Sequence, residues 1–271
     1  MSARLPLLLA LPPSEGKAAG GDGPPLELSA LWGADALTRP RRQVLDALVK
    51  LCSATGPRGR NRARQVLGLS EGLAGEIAVD AAVREAATLP AARRYTGVLY
   101  DHLGLETLPA PARRRAADSV VILSGLWGAV RPDDAIPPYR LSMGVALPKV
   151  GKLAVHWRTP LAEALPGPAL VVDCRSAAYQ QAWKPVAGST VLAVRVFAVA
   201  PDGSRRVISH MAKATRGDVA RALLLRADKG RRDAGTPQDV ARVVEAAGLQ
   251  CELIAPARDG GPWALDVLLA G

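Results

Sequence analysis

Cysteine is scarce in this chain, and the three present, Cys52, Cys174 and Cys251, are far apart and outside any CxxC or Cys/His spacing. That excludes a disulfide scaffold and a zinc module, and it predicts a reduced, metal-free, cytoplasmic protein. Long apolar runs are also missing. The best candidate, Leu5 to Leu11, is interrupted by Pro6, followed by Pro12-Pro13, and lacks a small-residue cleavage site. It is too short to span a bilayer, so neither a membrane partner nor a targeting segment is expected. There is no internal repeat or low-complexity block. No cofactor motif survives inspection either. Gly16-Lys17 has the ending of a phosphate-binding loop, but the first glycine is absent and Ala18 stands where the magnesium-binding hydroxyl belongs. Ser14 and Lys17 have the spacing of a Ser-x-x-Lys pair, yet Gly16 and the preceding prolines oppose the helix that chemistry uses.

What the chain has is ordinary globular material with an excess of positive charge. Hydrophobic residues make up 49% and charged residues 22% of 271 positions, enough for a full core, and a single domain over residues 1–271 is expected. The formal charge is +10 and the isoelectric point about 10.1, with cations that are mostly Arg. Arginine suits bidentate phosphate contacts, so a polyanionic partner becomes plausible, although coding bias toward Arg can make a chain basic without any partner.

The densest cluster of special residues runs from Val120 to Leu147. Val120 to Leu123 is a short β-branched run closed by Ser124-Gly125, the pattern of a buried strand ending at a turn. Pro132, Pro137 and Pro138 then fix φ and push their predecessors out of the α region, so Ala129 to Arg140 is a shaped loop. It carries Arg131, Asp133, Asp134, Tyr139 and Arg140, a set suited to an anionic ligand. A long loop after a buried strand is where function concentrates.

In chain order, Leu5 to Leu11 reads as a first strand followed by the loop PPSEGKAAGG, which puts Ser14, Glu15 and Lys17 on a flexible strand end. Apolar spacing from Pro40 to Cys52 predicts an amphipathic helix. Leu67 to Ile77 has the outline of a glycine-capped helical hairpin, a form that can grip phosphate through backbone amides. Arg93 to Gly104 gathers Tyr95, Thr96, Tyr100, Asp101 and His102, but no serine or cysteine nucleophile is tied to that His by spacing. Pro109 to Asp118 reads as a basic surface helix, and a helix is expected to start near Thr159-Pro160. Ala169 to Val172 is a further buried strand ended by Asp173, a polar residue aimed at a crevice, with Ser176 opening a short helix that carries Tyr179, Trp183 and Lys184. Thr190 to Val199 and Arg205 to His210 read as a hairpin turned at Pro201-Asp202-Gly203. Lys213 and Arg216 fall just before Val219 to Leu225. This puts two cations near a helix N-terminus, where a bound anion or an acidic side chain, Glu15 being the candidate, would offset them. A helix around Val240 to Ala247 and strands near Glu252 to Ile254 and Leu265 to Leu269 complete an α/β fold, mixed α+β in its details.

Taken together, LLLALPPSEGK, YTGVLY, ILSGLWGAVRPDDAIPPYRLSMG, HWRTPLAEAL, VVDCRSAAYQQAWKP and ISHMAKATRGDVAR resemble the peroxide-stress protein YaaA family, in this order and at these separations. The agreement includes Ser124, Gly125, Gly128, Arg131, Pro132, Asp133, Pro138, Tyr139, Arg140, Met143, Gly144, Lys213 and Arg216. PPSEGK stands where many members read SPAK, and Asp173-Cys174-Arg175 is more charged than usual. The resemblance implies a single compact α/β domain of unusual topology, with a central mixed sheet, surrounding helices and a basic cleft. It also implies a protein that limits DNA damage under oxidative stress and binds duplex and branched DNA.

Two functions follow as expectations. One is a nucleic-acid-binding stress protein that holds DNA phosphates in the cleft with little sequence specificity. The other is an enzyme acting on a nucleobase, nucleoside or nucleotide by glycosidase- or lyase-type acid/base chemistry in the same cleft. Glu15, Asp133, Tyr139 and Asp173 are the candidate catalytic groups. Ser14, Lys17, Ser124, Arg131, Arg140, Tyr179, Lys184, Lys213 and Arg216 are the candidate ligand contacts, with no metal and no cofactor. The oligomeric state stays open.

Overall fold

A computed structural model describes residues 7–165, 167, 169–208, 210–226 and 234–270, so Leu5 and Pro6 of the first expected strand lie outside the described residues. The central sheet has eight strands: β1 (Leu7–Leu11), β2 (Val120–Ser124), β3 (Gly128–Val130), β4 (Leu170–Asp173), β5 (Thr190–Val199), β6 (Arg205–Val207), β7 (Cys251–Ile254) and β8 (Trp263–Ala270). Their order is β7-β8-β5-β4-β1-β2-β3, with β6 pairing β5. The five inner strands, β8, β5, β4, β1 and β2, run parallel, and antiparallel β7, β6 and β3 lie at the periphery. Every residue of β1, β2 and β4 is buried. This is why they read as continuous apolar runs: helices cover both faces of a parallel sheet.

Chain direction across the sheet reverses beside β1. From β1 the chain moves to β2 and β3 on one side, then returns to β4 on the other and proceeds outward to β5 and β8. The carboxyl ends of β1 and β4 therefore diverge into loops that leave in opposite directions, which opens a crevice between them. Register places Ala10 opposite Asp173, and Cys174 N donates to Ala10 O at 2.9 Å, so the two loops start level with each other.

The helices differ from their sequence-based limits where proline or glycine misdirects. The helix expected from Pro40 begins at Ala34, with Pro40 inside it; its apolar stripe, Leu37, Val44, Leu45, Leu48 and Leu51, packs into the core. The expected strand over Arg205 to His210 stops at Val207, and a helix runs from His210 to Leu225. Lys213 thus sits in that helix's first turn and Arg216 lies within it, rather than ahead of its start. Gly217, on the same helix, lets it lie against the helix Val98–Leu103: a Cβ there would collide with the Leu99 carbonyl oxygen. The hairpin region resolves into the helix Gly56–Leu67 closed by left-handed Gly68, a 3-10 turn at Glu71–Leu73 and the helix Glu76–Ala81.

Candidate functional site

A cleft of about 620 Å³ opens at the crevice between β1 and β4. Pro12 to Lys17 lead off β1, Ser176, Ala178 and Tyr179 follow β4, and Arg140 to Ser142 come from the loop beyond β2. Lys213 and Arg216 close one side from the helix His210–Leu225, while Leu67 to Leu69 and Thr96 to Tyr100 close the others. The loop after β1 is held on the Tyr95 side: Tyr100 Oη donates to Pro12 O at 2.7 Å, and Ala18 N donates to Arg94 O at 2.9 Å.

Beneath the cleft lies a sealed chain of hydroxyls. Ser124 Oγ, at the end of β2, accepts from Leu126 N at 3.2 Å and Trp127 N at 3.0 Å. Both lone pairs are then taken, so its proton goes to Tyr139 Oη at 2.7 Å, and Tyr139 passes its own to Tyr95 Oη at 2.8 Å. Burial holds both phenols well above their ordinary ionisation range. Ser124 and Tyr139 are therefore floor beneath the cleft, not groups facing a ligand. Lys17 Nζ rests on that floor, 4.3 Å from the Tyr139 ring centroid and 5.6 Å from that of Tyr95. It donates to Ser14 O at 2.9 Å and Glu15 O at 3.3 Å. Burial first, and then the neighbouring Arg140 cation, lower the Lys17 ammonium to about 8 against weaker opposition from Asp80, Glu76 and Glu15.

Among the described residues, Arg140 is the cleft cation with a carboxylate partner, its Nη2 lying 3.1 Å from Glu15 Oε2. Glu15, itself exposed, pairs through this one oxygen with Arg140, and not with Lys213 or Arg216 as the helix-terminus argument expected. Tyr179 lines the cleft, and burial raises its phenol to about 12.

Over residues 7–240 the chain matches the family model described as "Peroxide stress protein YaaA". A UPF0246 protein of Streptomyces coelicolor is 48% identical over 270 residues, covering 97% of this chain and 98% of that protein. The chain belongs to the peroxide stress protein YaaA family. Other relatives lie further off: a UPF0246 protein of Corynebacterium efficiens is 39% identical over 252 residues (91% of this chain, 95% of that protein), and one from Cereibacter sphaeroides is 33% identical over 195 (62% and 76%).

Within this family member, several expected site residues sit elsewhere. Asp133 is exposed and does not line the cleft; the buried aspartate of the central motif is Asp134, which accepts from Arg131 N at 2.8 Å and Trp32 N at 2.9 Å. Arg131 is 8% exposed; its guanidinium donates to Asp118 O at 2.9 Å and Val120 O at 2.8 Å and lies over the Trp32 ring. Val120 is the first residue of β2, so Arg131 is at the opposite end of the sheet from the cleft. Asp173 is 5% exposed and gripped by Arg175 through two bonds of 2.8 Å, which removes it as a free acid or base. Lys184 is exposed and outside the cleft lining.

Asp80 was not among the expected groups. It is fully buried on the short helix Glu76–Ala81, where Oδ1 accepts from Arg140 N at 2.7 Å and Oδ2 has no hydrogen-bond partner. Desolvation raises its carboxyl to about 7, against the Arg140 amide and the charges of Lys17 and Arg140. Its one sequence signal is a carboxylate three residues after Ile77 on an otherwise apolar helix face, too weak to single out.

Proposed function

We propose that the cleft binds DNA by its phosphates, as part of a peroxide-stress response. The observation that carries this reading is the convergence of four cations from three separate segments, Lys17, Arg140, Lys213 and Arg216, on one cleft whose lining, among the described residues, contains a single carboxylate, Glu15. Such an imbalance is costly unless an anion completes it, and phosphate contacts carry little base information, so low sequence specificity follows. The volume is that of a small-molecule site and not the width of a duplex. Phosphates would track the cationic rim while a single nucleotide unit enters. Fluorescence anisotropy of a labelled duplex and a branched oligonucleotide tests it. The double variant Lys213→Gln/Arg216→Gln should lose most of its affinity for both, and undiminished binding would refute the cleft as the DNA site.

A second reading, an enzyme acting on a nucleobase, nucleoside or nucleotide, is favoured by one specific observation. Lys17 in the cleft and the buried Asp80 behind it, each sensing the other's charge, are pushed toward neutral pH from opposite directions, the arrangement that acid/base and nucleophilic chemistry use. Product formation from a panel of nucleosides, nucleotides and damaged DNA, by wild type and by Glu15→Gln, separates the two readings.

A further inference from the structure

Lys17 differs from every other described lysine. Lys50, Lys149, Lys152, Lys184 and Lys213 are exposed, whereas Lys17 is partly buried at the bottom of the cleft. It has no carboxylate within ion-pair distance among the described residues; its ammonium meets two carbonyl oxygens and the faces of two tyrosines. A lysine that only bound phosphate would be better placed on the rim beside Lys213 and Arg216, where its charge is solvated. Packing an amine into a low-dielectric site beside a fixed cation is how amine nucleophiles are made. Arg140 is that cation here. Around the amine, Arg140, Lys213 and Arg216 can hold phosphates, and the carboxylate of Glu15 stands in the same cleft.

We infer that Lys17 is the nucleophile of an abasic-site lyase, attacking the aldehyde carbon of ring-opened deoxyribose phosphate held in this cleft. Intact nucleotides offer no free carbonyl on their sugar, whereas the sugar left after base loss does. It is also the unit an anion-binding cleft of this size admits without a base to recognise. In the step, the neutral Nζ adds to C1′, its proton moves to the carbonyl oxygen, and the hydroxyl so formed takes a second proton from solvent and leaves as water to give an iminium ion. The Glu15 carboxylate takes a C2′ proton, the C3′–O bond breaks, and the 3′-phosphate departs with that electron pair. Water then hydrolyses the iminium, returning the neutral amine, an unsaturated aldehyde and the proton borrowed for dehydration, and Glu15 releases its proton to solvent. No oxidant or reductant is consumed. The lowered Lys17 value supports the step: at pH 7.5 about a quarter of amines at pKa about 8 are neutral, against about one in a thousand at 10.5.

The inference rests on the cleft as the place where DNA is held, so binding and chemistry are measured separately. The probes are a labelled duplex with one abasic site and free 2-deoxyribose 5-phosphate, each incubated with the full chain and sodium borohydride, which reduces an imine to a stable secondary amine. The expected result is a covalent adduct with both probes, mapped to Lys17 by peptide mass spectrometry and forming faster as pH rises through about 8. Lys17→Arg keeps the positive charge but has no amine that can condense, so it should lose the adduct at protein concentrations where anisotropy shows the abasic duplex fully bound. Duplex bound at saturation without an adduct overturns the inference and leaves the DNA reading standing. An adduct that persists in Lys17→Arg overturns it too. Trapping of deoxyribose 5-phosphate at Lys17 with no duplex binding supports the nucleophile and refutes the DNA reading.

Discussion

Asp80 makes a sharp test of the electrostatics, because a fully buried carboxyl with one unpartnered oxygen should reveal itself in stability against pH. Its folded value is about 7, against an ordinary 3.8. Between these limits the folded state holds a proton that the unfolded state has released. The group therefore favours folding below about pH 4, loses that contribution as pH rises toward 7, and gives none above. Evaluated at two pH values, the change from pH 5 to pH 8 is roughly 2–3 kcal/mol of lost stability from this group alone. Asp80→Asn keeps the shape and an oxygen for Arg140 N but cannot ionise, so it escapes the loss. At about 2–4 °C per kcal/mol for a chain of this size, the Tm of the variant minus that of wild type should rise by roughly 4–12 °C between pH 5 and pH 8. Thermal unfolding by circular dichroism in matched buffers measures it, and the other carboxylates cancel in the difference. A difference that stays flat from pH 5 to 8, or falls, would show that Asp80 ionises freely in the folded protein and would remove the electrostatic argument for the site.

Binding of a duplex should depend on salt with a slope of about −3.6 in log–log form if four cations each neutralise one phosphate, at about −0.9 each. Titration at several salt concentrations checks it: Arg216→Gln should make the slope shallower by about 0.9, and Arg113→Gln, exposed on the helix Ala110–Ser119, should leave it unchanged. Arg175→Met strips the buried Asp173 carboxylate of its two-bond partner and should cost about 3–5 kcal/mol in urea unfolding, most of it recovered by adding Asp173→Leu. Gly217→Val drives a side chain into the Leu99 carbonyl and to within 2.8 Å of His102 Cβ, so a loss of about 1–3 kcal/mol is expected. A wild-type Tm there would mean the two helices can separate at no cost.

What the residues announced and what they concealed divide along physical lines. Thr190–Val199 was legible to the residue, and Val120–Ser124 and Cys251–Ile254 nearly so, because short β-branched runs between turn residues have few alternatives. Gly128–Val130 was hidden: three residues inside a proline-rich loop carry no period, and its pairing with β2 depends on left-handed Gly128, where a Cβ would fall 2.6 Å from the Trp157 ring. In the cleft, Ser14, Glu15, Lys17, Arg140, Tyr179, Lys213 and Arg216 come together from four separated segments, as strand-end reasoning allows. Asp173 stands at the same strand end but turns inward, and Arg131, of the same residue type as Arg140, follows antiparallel β3 and is buried at the sheet's other end. Sequence displays a charge without showing which way it points, and Arg175, two residues after Asp173, reads equally well as a ligand contact or as its counter-ion. Asp80 was out of reach because its singularity is burial.

The inward arginines bear on the DNA reading itself. Arg41 donates to the carbonyls of Trp127 at 3.0 Å, Ala129 at 2.7 Å and Trp32 at 2.8 Å; Arg94 donates to those of Ile136 at 3.1 Å, Gly20 at 2.8 Å and Ala87 at 3.1 Å, and also to that of Ala18. With Arg131 and Arg175 they form a set of buried guanidiniums whose fanned donors satisfy backbone oxygens that irregular loops leave unpaired. Part of the arginine excess thus holds loops in place and cannot touch a phosphate. The formal charge of +10 therefore overstates the positive surface available to a polyanion. What remains is local: cations on the cleft against a single lining carboxylate. DNA that coated the basic exterior would feel Arg113 and Arg216 alike, whereas DNA seated in the cleft would feel Arg216 and ignore Arg113. Equal slope changes from the two variants would return the interaction to undirected surface charge, and the cleft would then need another anion.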